Sequence, residues 1–88
     1  MEPRERTTRI EIRVELKPDV LDAEALSIEK SLGLLGIGHV RQVTTARVYD
    51  LEFSDVSGAE ARRLANEAVD RLLANPVIHR VSVRPEPA

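Results

Sequence analysis

The chain has no cysteine and no tryptophan, and its only aromatic residues are Tyr49 and Phe53. Without thiols there is no disulfide framework and no thiolate nucleophile. The two histidines, His39 and His79, stand far apart, so the three or four nitrogen and sulfur ligands of a zinc site are missing. No metal or other cofactor is expected. No apolar run approaches the ~18 residues that a membrane helix needs. The opening Met1-Glu2-Pro3-Arg4-Glu5-Arg6 is charged and lacks the apolar segment of a signal peptide. A cytoplasmic protein without a membrane partner is the expectation. Excess charge of one sign is missing too. The net charge is −2, with 7 basic and 8 acidic residues in 1–44 and 6 and 7 in 45–88. Nucleic-acid binding calls for a basic stripe that displaces counterions, so no nucleic-acid partner is expected.

What is present is periodicity. The 88 residues suit one domain, 1–88, with flexible ends at 1–7 and 85–88. From Thr8, Ile10, Ile12, Val14 and Leu16 alternate with Arg9, Glu11, Arg13 and Glu15, which predicts a strand with one buried face. The charged face suits water, although an antiparallel twin of this strand would match its charges. Pro18 ends the strand, having no N–H for a ladder. Asp19 or, better placed, Asp22 then caps a helix whose stripe is Leu21, Ala25, Ile28, Leu32 and Leu35. Gly36 closes it as a left-handed C-cap. Residues 39–54 read as a hairpin turning near Ala46-Arg47, without the Asn-Gly or Asp-Gly signature of a tight turn. Asp55 or Ser57 caps a second helix, and Glu60 would complete a capping box with Ser57. Its buried stripe is Ala61, Leu64, Ala65, Ala68, Val69 and Leu72. Asn75-Pro76 stops it, and Val77, Ile78, Val81 and Val83 form a last strand. The order βαββαβ predicts an α+β, ferredoxin-like two-layer sandwich: a four-stranded antiparallel sheet with two helices on one face.

Chemistry is sparse. Gly33, Gly36 and Gly38 close a helix, whereas a phosphate-binding loop must open one. Ser27, Ser31, Ser54, Ser57 and Ser82 stand without a nucleophile motif. A base needs a nucleophile and an orienting partner, and neither histidine has them in sequence. Asp19, Asp22 and Glu24 suit the start of a helix, where acids complement the dipole. No catalytic site of its own is expected. A core this limited, without disulfide or metal, favours extra burial against a partner subunit.

Two proline-marked stretches carry a family resemblance. They are Lys17-Pro18-Asp19-Val20-Leu21-Asp22 and Leu72-Leu73-Ala74-Asn75-Pro76-Val77-Ile78, with Glu29, Leu32, Leu35-Gly36, Val40, Val43 and Leu51 between them. Through most of residues 8–83 the chain resembles the PurS family, the small subunit of phosphoribosylformylglycinamidine synthase. That family reads Lys-Pro-Gly-Val-Leu-Asp-Pro-x-Gly at the first loop, where this chain has Asp19, Ala23 and Ala25 in place of glycine, proline and glycine. Ala46-Arg47 replaces a Gly-Lys, and His79 replaces an acidic residue. The altered first loop bears on partner contacts more than on the fold.

The resemblance implies a non-catalytic assembly subunit of an ATP-dependent glutamine amidotransferase (a C–N ligase complex) in de novo purine synthesis. Its partners would be itself, as a homodimer or tetramer, the large synthase subunit and the glutaminase subunit. It would bridge the last two and support ammonia transfer. Lys17, Pro18, Asp19, Asp22 and Arg47, on loops at the sheet's edges, are the expected partner contacts. The alternative is a small-molecule sensor like the ACT domains, with a ligand near Lys17-Pro18-Asp19. That loop is not glycine-rich, which weakens the sensor reading.

Overall fold

Alternation in the N-terminal segment builds the centre of the sheet. In the computed structural model, which describes residues 6–85, β1 (Thr7–Leu16) buries Ile10, Ile12 and Val14. It lies between β2 (Ala46–Ser54) and β3 (His79–Pro85), antiparallel to both. Ile12 sits opposite Tyr49 on one side and Val83 on the other, so apolar rows cross all three strands. The opposite face answers its own charges. Glu11 accepts from Arg84 at 3.1 Å, Glu15 from Arg80 at 2.7 Å, and Arg9 lies 4.0 Å from Glu52. Both edges of β1 are therefore occupied, and its charges need no twin from another copy.

Ser57 caps α2 (Gly58–Ala68), accepting from the Glu60 N–H at 3.0 Å. Only this half of the expected capping box forms, because the Glu60 carboxylate instead takes the Arg63 guanidinium at 2.7 Å. Ala61 and Ala65 are fully buried, and their small size lets α2 approach β1 and β3 closely. The helix then widens into a π turn, Val69–Leu73, in which the Ala74 N–H reaches the Val69 carbonyl. Widening shifts the inward series to Ala61, Ala65, Val69 and Leu73, so Leu73 packs on the core and Leu72 is exposed. Val77 and Ile78 lie in the following turn rather than in the strand.

The first helix is where the expected architecture fails. α1 (Ala23–Leu34) is capped by Asp22, as its sequence predicts. It ends in a complete Schellman pair: Gly36 N–H to Gly33 O and Ile37 N–H to Leu32 O, with Gly36 at φ 79°. Yet α1 does not pack on the sheet as α2 does. Gly36 and His39 (φ 66°) reverse the chain, and the segment 40–45 runs back along α1 without joining the ladder. The sheet accordingly has three strands rather than four, and one helix covers its inner face rather than two. The hairpin over 39–54 is absent. Two carboxylates of the first helix compete for its backbone. Glu29 accepts from the Val43 N–H at 2.9 Å, and Asp22 accepts from Thr45. Ala46-Arg47 offers no residue suited to the positive φ of a tight hairpin turn. Of the ends expected to be flexible, 1–5 and 86–88 lie outside the described residues; Thr7 and Pro85 belong to strands.

Candidate functional site

The loop Lys17–Asp22 leaves β1 at the end of the sheet where residue 45 returns to it. Lys17 N–H donates to Ile78 O at 2.9 Å, and Val20 N–H donates to Lys17 O at 2.9 Å, so Pro18 and Asp19 form the tip of a closed turn. Between this turn, α1 and the 42–45 segment lies an open cleft of about 580 Å³. Lys17, Pro18, Asp19 and Asp22 all line it, so the structure brings together four of the five sequence-expected contact residues. Arg47 lies apart, on an adjoining depression that also touches Asp22, Thr45 and His79.

Asp22 organises the cleft. One carboxylate oxygen accepts from the Ala25 N–H at 2.9 Å; the other accepts from the Thr45 hydroxyl at 2.7 Å and the Thr45 N–H at 3.3 Å. These bonds, the Thr45 hydroxyl foremost and the Ala25 N–H next, hold its pKa below the ordinary 3.8. Glu15, also in the lining, is held low chiefly by its hydrogen bond from Arg80. A depressed carboxylate is a poor proton acceptor near neutrality, so the Thr45–Asp22 pair acts as a clamp rather than a nucleophile and base. The depressed value also fixes the sign of its pH dependence. The clamp contributes fully above pH 3.8 and is lost as pH falls through the lower value of the folded state. In an NMR titration the Thr45 amide resonance is expected to hold still from neutrality and move only below 3.8. In Asp22→Asn that step should vanish. A Thr45 step centred above 3.8 would contradict the clamp.

Sequence reasoning does not reach Glu29 and Thr45 as residues of this cleft. Asp22 and Glu29 are seven residues apart, two turns along one helix face, and that spacing is the one available signal. His79 stabilises the neighbouring turn. Its Nδ1 accepts from the Asn75 N–H at 2.9 Å, while Asn75 Oδ1 accepts from the Val77 N–H at 2.9 Å. These bonds close the Asn75-Pro76 turn. Among the described residues no cluster of three or more potential metal ligands occurs, and no helix is long and apolar enough to cross a membrane.

A family model described as PurS, phosphoribosylformylglycinamidine (FGAM) synthase, matches residues 9–87. The chain belongs to the PurS family. The PurS synthase subunit of Archaeoglobus fulgidus is 38% identical over 73 residues, covering 83% of this chain and 91% of the relative. The crystal structure of Methanocaldococcus jannaschii PurS has a TM-score of 0.81 at 28% identity, covering 92% of this chain and 98% of that one. That protein is one of the subunits of formylglycinamide ribonucleotide amidotransferase in the purine biosynthetic pathway. A chain of the PurLQS structure from Thermotoga maritima has a TM-score of 0.84 at 23% identity, covering 92% and 99%; this likeness carries the fold. The function class follows from membership: a PurS subunit of FGAM synthase, in purine biosynthesis.

Proposed function

We propose that the chain is the non-catalytic assembly subunit of its synthase, holding the ATP-dependent synthase subunit and the glutaminase subunit together in the cytoplasm. The observation that carries this reading is the match of nearly the whole chain to a family of synthase subunits. The geometry supports it. The polar groups around the cleft hold the chain's own backbone: Asp22 on Ala25 and Thr45, Glu29 on Val43. The exposed Pro18-Asp19 tip, with half-buried Lys17 at its base, is left as a rigidly mounted contact surface, and exposed Arg47 adds a second one on the adjoining depression. Bridging two active sites shortens the path of ammonia between them and keeps it from water, and this raises the coupled rate without a catalytic group. The chain works in this complex as a homo-oligomer.

Sedimentation of the three purified subunits tests the reading. With this chain present, the synthase and glutaminase are expected to travel as one faster species. Replacing Lys17 and Arg47 by glutamate should weaken it. Synthase and glutaminase associating equally well without the chain would reject the role.

A further inference from the structure

The radius of gyration is 17.6 Å, against about 12 Å for a compact chain of this length. The excess comes with an arm, α1 and the segment 40–45 that runs back along it, which lacks the packed face holding α2 to the sheet. Two lengths of chain join this arm to the sheet at its root. One is the loop Lys17–Asp22, anchored at its start by the bond from the Lys17 N–H to Ile78 O. The other passes through Thr45 into Ala46, the first residue of β2, which stands opposite Glu15 in the ladder. Two such connections form a hinge, because a few loop torsions can turn with no packed surface opposing them. Asp22 crosses between them. One of its oxygens accepts from the Ala25 N–H at 2.9 Å, and the other takes the Thr45 hydroxyl at 2.7 Å and the Thr45 N–H at 3.3 Å. A single side chain thereby ties the first turn of the arm's helix to the residue that enters the sheet.

We infer that the Asp22–Thr45 clamp locks this hinge, fixing the angle at which the arm leaves the sheet. Its place at the root gives it leverage. From Ala23 to Leu34 the helix runs roughly 16 Å, so a turn of ~20° at the root carries its far end by roughly 6 Å. The arm turns as one piece, because its other bonds lie within it. Glu29 holds the Val43 N–H at 2.9 Å, and the Gly36 and Ile37 N–H groups close on Gly33 and Leu32. None of these crosses the root. The bonds that do cross it end on a carboxylate, and charge-assisted hydrogen bonds of this kind are stronger than neutral ones. The lock lies within one chain, so its test needs neither of the other subunits.

The absence of cysteine makes the test clean. The replacements Lys30→Cys on the arm and Ser82→Cys on the outer face of β3, both at exposed positions, take spin labels at those two sites alone. Doubly labelled chain is diluted into an excess of unlabelled chain, so that the electron–electron distance is read within one copy of any oligomer. A single narrow distance is expected in this background. Thr45→Val removes the 2.7 Å bond and leaves the helix cap untouched. Asp22→Asn keeps a cap oxygen for the Ala25 N–H but turns an NH2 group toward the Thr45 N–H. Each variant should keep its circular dichroism and lose the narrow peak to a broad distribution, whereas Thr45→Ser, which retains the hydroxyl, should keep the peak. An unchanged narrow peak in Thr45→Val and Asp22→Asn, or a Thr45→Ser chain as broad as Thr45→Val, would overturn the lock. Loss of circular dichroism in both Thr45→Val and Asp22→Asn would overturn it too, since the pair would then hold the fold rather than the hinge.

Discussion

Replacing Ile12 by alanine is expected to lower stability by about 2–5 kcal/mol, read as a large drop in the urea midpoint. Ile12 is 0% exposed, at the middle of the central strand, opposite Tyr49 and Val83, with α2 packed against β1. Removing its outer carbons takes away their transfer free energy and leaves a cavity. The sheet cannot collapse into that cavity, because both edges of β1 are tied to neighbours. Small domains have about 5–15 kcal/mol in all, and this one has few buried side chains beyond Ile10, Val14 and two alanines of α2. One truncation therefore removes much of what holds the fold. The contrast is Arg13→Ala on the same strand, which removes only an exposed contact with Glu15 at 3.5 Å. Equal midpoint shifts for the two variants would contradict this placement of the core.

The difference between Ile12 and Arg13 is legible in the sequence, because a period of two assigns faces without any tertiary knowledge. So are the Asp22 and Ser57 caps and the left-handed Gly36, which are set by local geometry. What fails are the steps that depend on where an element goes. Of the stripe Leu21, Ala25, Ile28, Leu32 and Leu35, the middle three lie on α1, whereas Leu21 precedes the Asp22 cap and Leu35 is the C-cap; the spacing does not say which surface covers them. The hairpin over 39–54 fails because Val43 and Thr45 N–H groups find carboxylates of the first helix before they find a strand. Leu72 gives way to Leu73 because a π turn changes the period, and nothing in Val-Asp-Arg-Leu-Leu announces it. At the candidate site, the loop Lys17–Asp22 is visible through its proline and its resemblance. The roles of Glu29 and Thr45 require the arm's return path.

The assembly role makes the other large prediction. If the chain only places two active sites together, omitting it should damage the reaction that needs both sites and spare the one that needs a single site. Glutamine-dependent synthesis requires ammonia to pass from the glutaminase to the synthase, whereas supplied ammonium enters the synthase directly. The measurement is synthesis from formylglycinamide ribonucleotide by the purified synthase and glutaminase subunits, with and without this chain, using each nitrogen source in turn. The predicted result is a fall of at least ~10-fold in the glutamine-dependent rate on omission, with the ammonium-dependent rate nearly unchanged. Equal glutamine-dependent rates in the two mixtures would contradict the account.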